Sequence, residues 1–174
     1  MREASSKVTS IDTSSVAPEL DEPFVDAEGA THNIADALQR GPVLLGIYKS
    51  SCQASKTMFP ILERIHQRYS DRGLTVYGVS QDSPNVTRSF ARRAGITFPM
   101  LIEGDDFSIS NRFNIFATPT VYLIRPDGTI ASSIMGFFRD QVNEFAGTVA
   151  AELGAPPEPI IAEDESDIPL FVPG

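Results

Sequence analysis

The stretch Lys49-Ser50-Ser51-Cys52-Gln53-Ala54-Ser55-Lys56 contains the only cysteine of the chain and joins two segments of different periodicity. Before it, Val43-Leu44-Leu45-Gly46-Ile47-Tyr48 is a continuous apolar run, which is typical of a strand buried on both faces of a sheet. After it, apolar residues recur at helical spacing, namely Met58, Ile61, Leu62, Ile65 and Tyr69. The pattern predicts that Cys52 lies where a central strand ends and a helix begins.

The predicted position of Cys52 favours its reactive form. At the start of a helix, the unpaired backbone N–H groups and the helix dipole point at the sulfur, so thiolate is favoured over thiol. A chain with one cysteine cannot form an internal disulfide, so its cysteine usage does not indicate the redox compartment. Redox chemistry in this chain is therefore expected to depend on one sulfur atom.

Two motifs carry a family resemblance. The run Cys52-Gln53-Ala54-Ser55-Lys56, with Pro60 eight residues after the cysteine, resembles the thioredoxin active-site helix, whose motif is Trp-Cys-x-x-Cys-Lys. The run from Ala117 to Ile124, which contains Thr118-Pro119, is similar to the cis-proline loop and following strand of that family. The long insert between the motifs and the leader before the apolar strand resemble the redoxin branch, of the TlpA/ResA and AhpC-TSA type. The resemblance extends from about Phe24 to Leu153.

The resemblance implies an α/β fold of the thioredoxin-like, three-layer kind. It would have a mixed central sheet with helices on both faces, an N-terminal β-hairpin and an inserted strand–helix unit. The same resemblance implies that Cys52 and Ser55 are the catalytic residues and that Thr118 and Pro119 bind substrate. It implies no cofactor, and two histidines with one cysteine do not suggest a metal cluster.

Two residues depart from the family pattern. Ser51 stands where the family usually has Trp, and Ser55 stands where it has the second, resolving cysteine. A dithiol enzyme turns over because its second thiolate attacks the mixed disulfide formed by the first, and a serine cannot do this. The sequence therefore predicts a thiol–disulfide oxidoreductase with one nucleophilic cysteine, in which Ser55 donates a hydrogen bond to the thiolate. An external thiol would resolve the mixed disulfide.

Three alternatives remain at this stage. The first is a peroxiredoxin-like peroxidase, although Lys49 stands where that class typically has Thr, and Thr118-Pro119 stands where it has a peroxide-binding Arg. The second is a redoxin fold that binds a partner without catalysis, with Cys52 as a small apolar residue. The third is that Ser55 was introduced deliberately to trap a mixed disulfide, although the absence of Trp at position 51 favours natural divergence.

Composition divides the chain into three parts. Residues 1–22 are rich in Ser, Thr and acids and are predicted to be a flexible or loosely docked arm, and residues 23–154 form the redoxin domain. Residues 155–174 are predicted to be an acidic, proline-rich tail, with five acids and no Lys or Arg. The apolar segment Ile168–Val172 is expected to dock on its own domain or on a neighbour.

Local signals predict further elements of the domain. Glu28-Gly29 is the expected turn of the N-terminal hairpin, and Pro126-Asp127-Gly128 is the expected turn between two antiparallel strands. Asp105 and Asp106 are candidate caps for a helix that continues through Phe113.

Charge and hydropathy indicate the partners. A formal net charge of -9 argues against nucleic acid and anionic membrane surfaces, both of which call for basic patches. A protein disulfide or a small thiol such as glutathione is the expected partner, and oligomeric state is left open. The sequence has no charged-then-apolar leader and no apolar run of the roughly 20 residues that span a bilayer. As written, this predicts a cytoplasmic protein without membrane insertion, or a periplasmic or membrane-tethered one if the start is trimmed.

Overall fold

The structure, a computed structural model, describes residues 15–174. The predicted arm, residues 1–22, thus lies mostly outside the described residues. Its last part is attached to the domain, since Ile130 N–H donates to Ser15 O and Ala17 N–H donates to Gly128 O, both at 2.8 Å. Leu20 is buried against the core.

Nine strands and five α-helices follow one another along the described chain. The strands are β1 (Pro23–Val25), β2 (Thr31–Asn33), β3 (Val43–Tyr48), β4 (Thr75–Ser80), β5 (Met100–Ile102), β6 (Thr120–Ile124), β7 (Ile130–Met135), β8 (Phe137–Phe138) and β9 (Phe171–Val172). The helices are α1 (Ile34–Leu38), α2 (Gln53–Tyr69), α3 (Pro84–Ala94), α4 (Ser108–Arg112) and α5 (Arg139–Glu152), with a 3₁₀ turn at Ser70–Arg72.

Five strands form the central sheet in the order β5-β4-β3-β6-β7. Strands β3, β4 and β5 are parallel, whereas β6 is antiparallel to β3 and β7 is antiparallel to β6. All six residues of β3 are buried, because this strand lies at the centre of the sheet and is covered on both faces. The predicted mixed sheet is confirmed.

Helices cover both faces of this sheet. On one face, residues of α2, α3 and α5 pack with Leu44 and Tyr48 of β3. On the other face, residues of α1 and α4 pack with Val43, Leu45 and Ile47 of the same strand. The alternation of β3 side chains between two clusters gives three layers, so the predicted thioredoxin-like fold is confirmed.

Two paired glycines make room for an aromatic ring beneath the sheet. Gly46 of β3 pairs with Gly78 of β4. A β-carbon on Gly46 would lie 2.8 Å from Leu62 Cδ1 and 3.2 Å from Phe59 Cζ. One on Gly78 would lie 2.5 Å from Met100 Sδ and 3.2 Å from Phe59 Cε2. The fully buried Phe59 ring also contacts Tyr48 and Phe90. A glycine in each neighbouring strand therefore allows α2 to pack closely on the sheet.

The smaller predicted elements are mostly confirmed. Strands β1 and β2 form the N-terminal hairpin, and β6 and β7 are antiparallel across the predicted Pro126-Asp127-Gly128 turn. The prediction that Asp105 and Asp106 cap a helix is wrong. Helix α4 begins at Ser108 after Phe107, whose left-handed backbone has a φ of 48°, and it has no side-chain cap.

Residues 155–174 lie along the outside of α2 and α5 without a core of their own. Ile160 and Ile161 are buried against the main core, and their N–H groups both donate to Asn143 Oδ1 at 2.9 Å. Arg64 forms a bidentate pair with Glu165 and holds the pKa of that carboxyl at about 2, so the pair stays charged at neutral pH. The predicted boundary at residue 154 stays a prediction.

Candidate functional site

Cys52 is the residue that precedes the first turn of α2. Its backbone is extended, with φ −86° and ψ 127°, and its carbonyl accepts from Lys56 N–H at 3.2 Å. Its own N–H donates to Lys49 O at 3.1 Å, which closes the loop that leaves β3. The side chain is half-buried beside the core cluster of α2 and α5. The sulfur thus lies at the N-terminus of a long helix and remains partly accessible.

The sulfur faces the second predicted motif. Cys52 Sγ–H donates to Thr118 O at 3.1 Å, and the Thr118–Pro119 peptide bond is cis. Pro119 is buried, and its carbonyl accepts from Gly136 N–H at 2.9 Å, which ties the loop to the end of β7. Two residues that are 66 positions apart in sequence therefore meet at one hydrogen bond.

Ser55 lies in the first turn of α2 and is fully buried. Among residues 15–174, its Oγ has no hydrogen-bond partner, so the structure does not contain the predicted bond to Cys52. The thiol proton points at Thr118 O instead. The hydrogen bond from Ser55 to Cys52 was predicted for the thiolate, which needs donors rather than acceptors. It therefore stays a prediction for the ionised state of the sulfur. The buried hydroxyl is a free donor within the same helical turn.

Asp82 is a further residue of the site that sequence analysis missed. Its Oδ2 accepts from Ser50 N–H at 2.8 Å, two residues before Cys52, and Ser80 Oγ accepts from Asp82 N–H at 3.0 Å. The Ser80 hydroxyl in turn bonds Thr87 Oγ1 of α3 at 2.6 Å. The loop before the cysteine is thereby fixed to β4 and α3. The signal was present, since Asp82 follows the end of a strand parallel to β3.

We predict that Asp82→Ala slows mixed-disulfide formation at Cys52 by about twofold to tenfold, because it removes the acceptor of the Ser50 N–H and leaves that group partly buried and unpaired. Asp82→Asn is the matched control, since its amide oxygen can still accept this bond. The measurement is the rate of Cys52 modification by a small disulfide, with thermal unfolding followed in parallel. Equal loss in both variants would show that the charge, rather than the hydrogen bond, matters.

Tyr48, the last residue of β3, lies under the same loop. Burial, together with the Asp82 carboxylate, raises the pKa of its phenol to about 12, while the neighbouring Ser80 and Thr87 hydroxyls oppose the shift. The phenol is therefore neutral at physiological pH, and its ring packs against Phe59 at a centroid distance of 4.4 Å as a core residue.

Residues 15–174 offer few features of other classes of site. Within this range, no three His, Cys, Asp or Glu side chains are placed so that they could hold a metal ion together. No helix in the same range has both the length and the hydropathy needed to cross a bilayer. Lys49, which takes the place of the peroxiredoxin threonine, is exposed.

Comparison with known proteins gives matches over most of the chain. The sequence model of the AhpC/TSA family matches residues 13–133. The thiol-disulfide oxidoreductase ResA of Geobacillus kaustophilus is 28% identical over 129 residues, which are 74% of this chain and 72% of that protein. The solution structure of a thiol:disulfide interchange protein from Bacteroides sp. is 22% identical, with a TM-score of 0.70 over 86% of this chain and 95% of that one.

A protein named as a peroxidoxin has a similar fold. The crystal structure of the peroxidoxin BcpB from Mycobacterium tuberculosis is 18% identical, with a TM-score of 0.68 over 81% of this chain and 97% of that one. Fold likeness therefore does not separate disulfide exchange from peroxide reduction, and the choice depends on the residues around Cys52.

Proposed function

Because the chain belongs to the AhpC/TSA family, we propose that it is a thiol–disulfide oxidoreductase that uses Cys52 as its single nucleophile. The observation that carries the proposal is the placement of Cys52 Sγ at the N-terminus of α2, 3.1 Å from the carbonyl of Thr118. Relatives named thiol-disulfide oxidoreductase ResA support the same reaction class. The single-cysteine form of the reaction is the part specific to this chain.

In the first step, the Cys52 thiolate attacks one sulfur of a substrate disulfide. A new bond forms between Cys52 Sγ and that sulfur, the old sulfur–sulfur bond breaks, and the second sulfur leaves as a thiolate. Loss of the thiol proton frees Thr118 O from its bond to the sulfur. The helix N-terminus stabilises the negative charge, and we propose that the unpaired Ser55 Oγ donates a hydrogen bond to it.

In the second step, an external thiolate attacks the mixed disulfide. A disulfide forms between the external sulfur and the substrate sulfur, and Cys52 leaves as a thiolate, ready for another cycle. Ser55 cannot perform this attack because a hydroxyl is not a thiol. The proposal therefore needs a thiol from outside the chain, either a small thiol such as glutathione or a second protein.

The backbone next to Pro119 supports a role in substrate binding. Thr118 is half-buried and lies beside the sulfur, so its peptide group is within reach of the chain that flanks a bound disulfide. We propose that Thr118 and Pro119 position a protein disulfide or a small disulfide for attack along the sulfur–sulfur axis.

The test is covalent trapping. We expect the protein to form a one-to-one adduct with a model disulfide, with a mass that matches a mixed disulfide at Cys52, and to be restored by added thiol. Cys52→Ser should form none, since the chain has no other cysteine. Consumption of hydrogen peroxide at the expense of thiol, without reaction with disulfides, would contradict the proposal and favour a peroxidase. Reaction with neither would favour a binding module.

A further inference from the structure

The C-terminal segment of residues 168–174, here called the strap, lies next to Cys52 and Thr118. Its strand β9 pairs with β8, in the register Phe137 with Val172 and Phe138 with Phe171. Strand β9 also lies against α2, the helix that begins after the cysteine. The strap is thus held beside the site by backbone pairing, although most of its side chains are exposed.

The strap reaches the carbonyl to which the sulfur points. A β-carbon on Gly174 would lie 2.6 Å from Thr118 O and 3.3 Å from its carbonyl carbon, so the strap backbone lies close against this peptide group. Cys52 Sγ–H donates to the same Thr118 oxygen. On its other side, Gly174 borders Gly136, whose own β-carbon would lie 3.1 Å from Gly174 N. The strap therefore occupies space along the Thr118 backbone that an extended substrate would need.

Besides its pairing with β8, the strap is held by Arg139, by one ring contact and by the half-buried side chains of Ile168 and Val172. Arg139 N–H donates to Leu170 O at 2.9 Å, and its guanidinium donates to Glu165 O at 2.6 Å and to Ile168 O. The Phe171 ring packs on Phe138 at a centroid distance of 4.7 Å. Val172 is half-buried against the main core.

The residues before the strap are fixed separately by Ile160, Ile161 and Glu165. Residues 155–167 therefore have contacts of their own that do not depend on the strap.

We infer that the strap selects among disulfides by size, and this inference rests on the proposed function. A small disulfide can reach the half-exposed sulfur with the strap docked. A disulfide within an extended polypeptide needs the Thr118 backbone, so the strap must undock before attack. The observed rate with a polypeptide is then reduced by the fraction of molecules in which the strap is undocked.

The experiment compares two probes with the same leaving group. One is a small aryl disulfide, and the other is a ten-residue peptide that carries the same aryl disulfide on a central cysteine. Val172→Asp places a charge at a half-buried position of the strap and should undock it. Leu170→Asp is the matched control, since it adds the same charge at a side chain that is 73% exposed.

We expect Val172→Asp to accelerate reaction with the peptide about tenfold or more, and reaction with the small disulfide less than about twofold, because only the peptide depends on the undocked fraction. Leu170→Asp should leave both rates near those of the unchanged protein. A chain that stops at Asp167 is a second strap-free variant and should behave like Val172→Asp. Thermal unfolding of each variant identifies general loss of structure.

The outcomes separate the two proposals. Equal acceleration of both probes, or no acceleration of the peptide in either strap variant, would overturn the strap inference while leaving disulfide exchange at Cys52 intact. Failure of every variant to react with either probe would overturn the proposed function, and the strap inference with it.

Discussion

Replacing Ser55 with cysteine is expected to shorten the lifetime of the mixed disulfide by at least about a thousandfold, because intramolecular attack replaces an encounter with dilute external thiol. Ser55 lies three residues after Cys52, which is the N-cap of α2, so the two side chains are neighbours at the start of this helix. The change restores the Cys-x-x-Cys spacing of the thioredoxin motif. Serine and cysteine are similar in volume, and the hydroxyl that is lost has no partner among the described residues.

The measurement is the amount of adduct after the protein is mixed with a model disulfide and no added thiol. The unchanged protein should retain the mixed disulfide, whereas Ser55→Cys should release the substrate thiol and end with an intramolecular disulfide. Ser51→Cys is the matched control, since it adds a thiol next to Cys52 at an exposed position outside the helix. A stable adduct in Ser55→Cys would mean that residue 55 cannot reach the sulfur of its neighbour.

The fold could be predicted because its local signals agree with its tertiary contacts. The apolar run of β3 is central and buried on both faces, and the amphipathic pattern after Cys52 forms α2. Pairing of Cys52 with Thr118 could be expected only through the family resemblance, since no local rule relates residues this far apart. The structure contains that contact as a hydrogen bond.

The remaining features depend on contacts that produce no periodic pattern in the sequence. Asp82 acts on the cysteine loop through one backbone N–H, so its only signal in the sequence was its position just after a strand parallel to β3. The acidic composition of residues 155–174 predicted a tail, but it could not show that Arg64 neutralises Glu165 or that β9 pairs with β8. The strap beside Thr118 follows from this docking, which charge and proline content alone do not specify.

Phe59→Ala is expected to lower the free energy of unfolding by about 3–5 kcal/mol, because it removes a fully buried ring and leaves a cavity that the surroundings cannot fill. The two strand residues above the ring, Gly46 and Gly78, have no side chains that could fill the space left by Phe59. The neighbouring rings of Tyr48 and Phe90 pack on Phe59 and would lose its contacts. Urea unfolding at neutral pH measures the change as a shift of the midpoint at constant slope.

Phe116→Ala is the matched control, since the same atoms are removed from a side chain that is 59% exposed, and its effect should stay within about 0.5 kcal/mol. A loss below about 1 kcal/mol in Phe59→Ala would mean that the sheet and α2 close over the cavity, contrary to the close packing at the two glycines. Because Tyr48 ends the strand that leads to the cysteine loop, we expect Phe59→Ala to slow the reaction at Cys52 as well. Phe116→Ala also removes a ring but leaves Tyr48 packed, so it should not slow the reaction at Cys52.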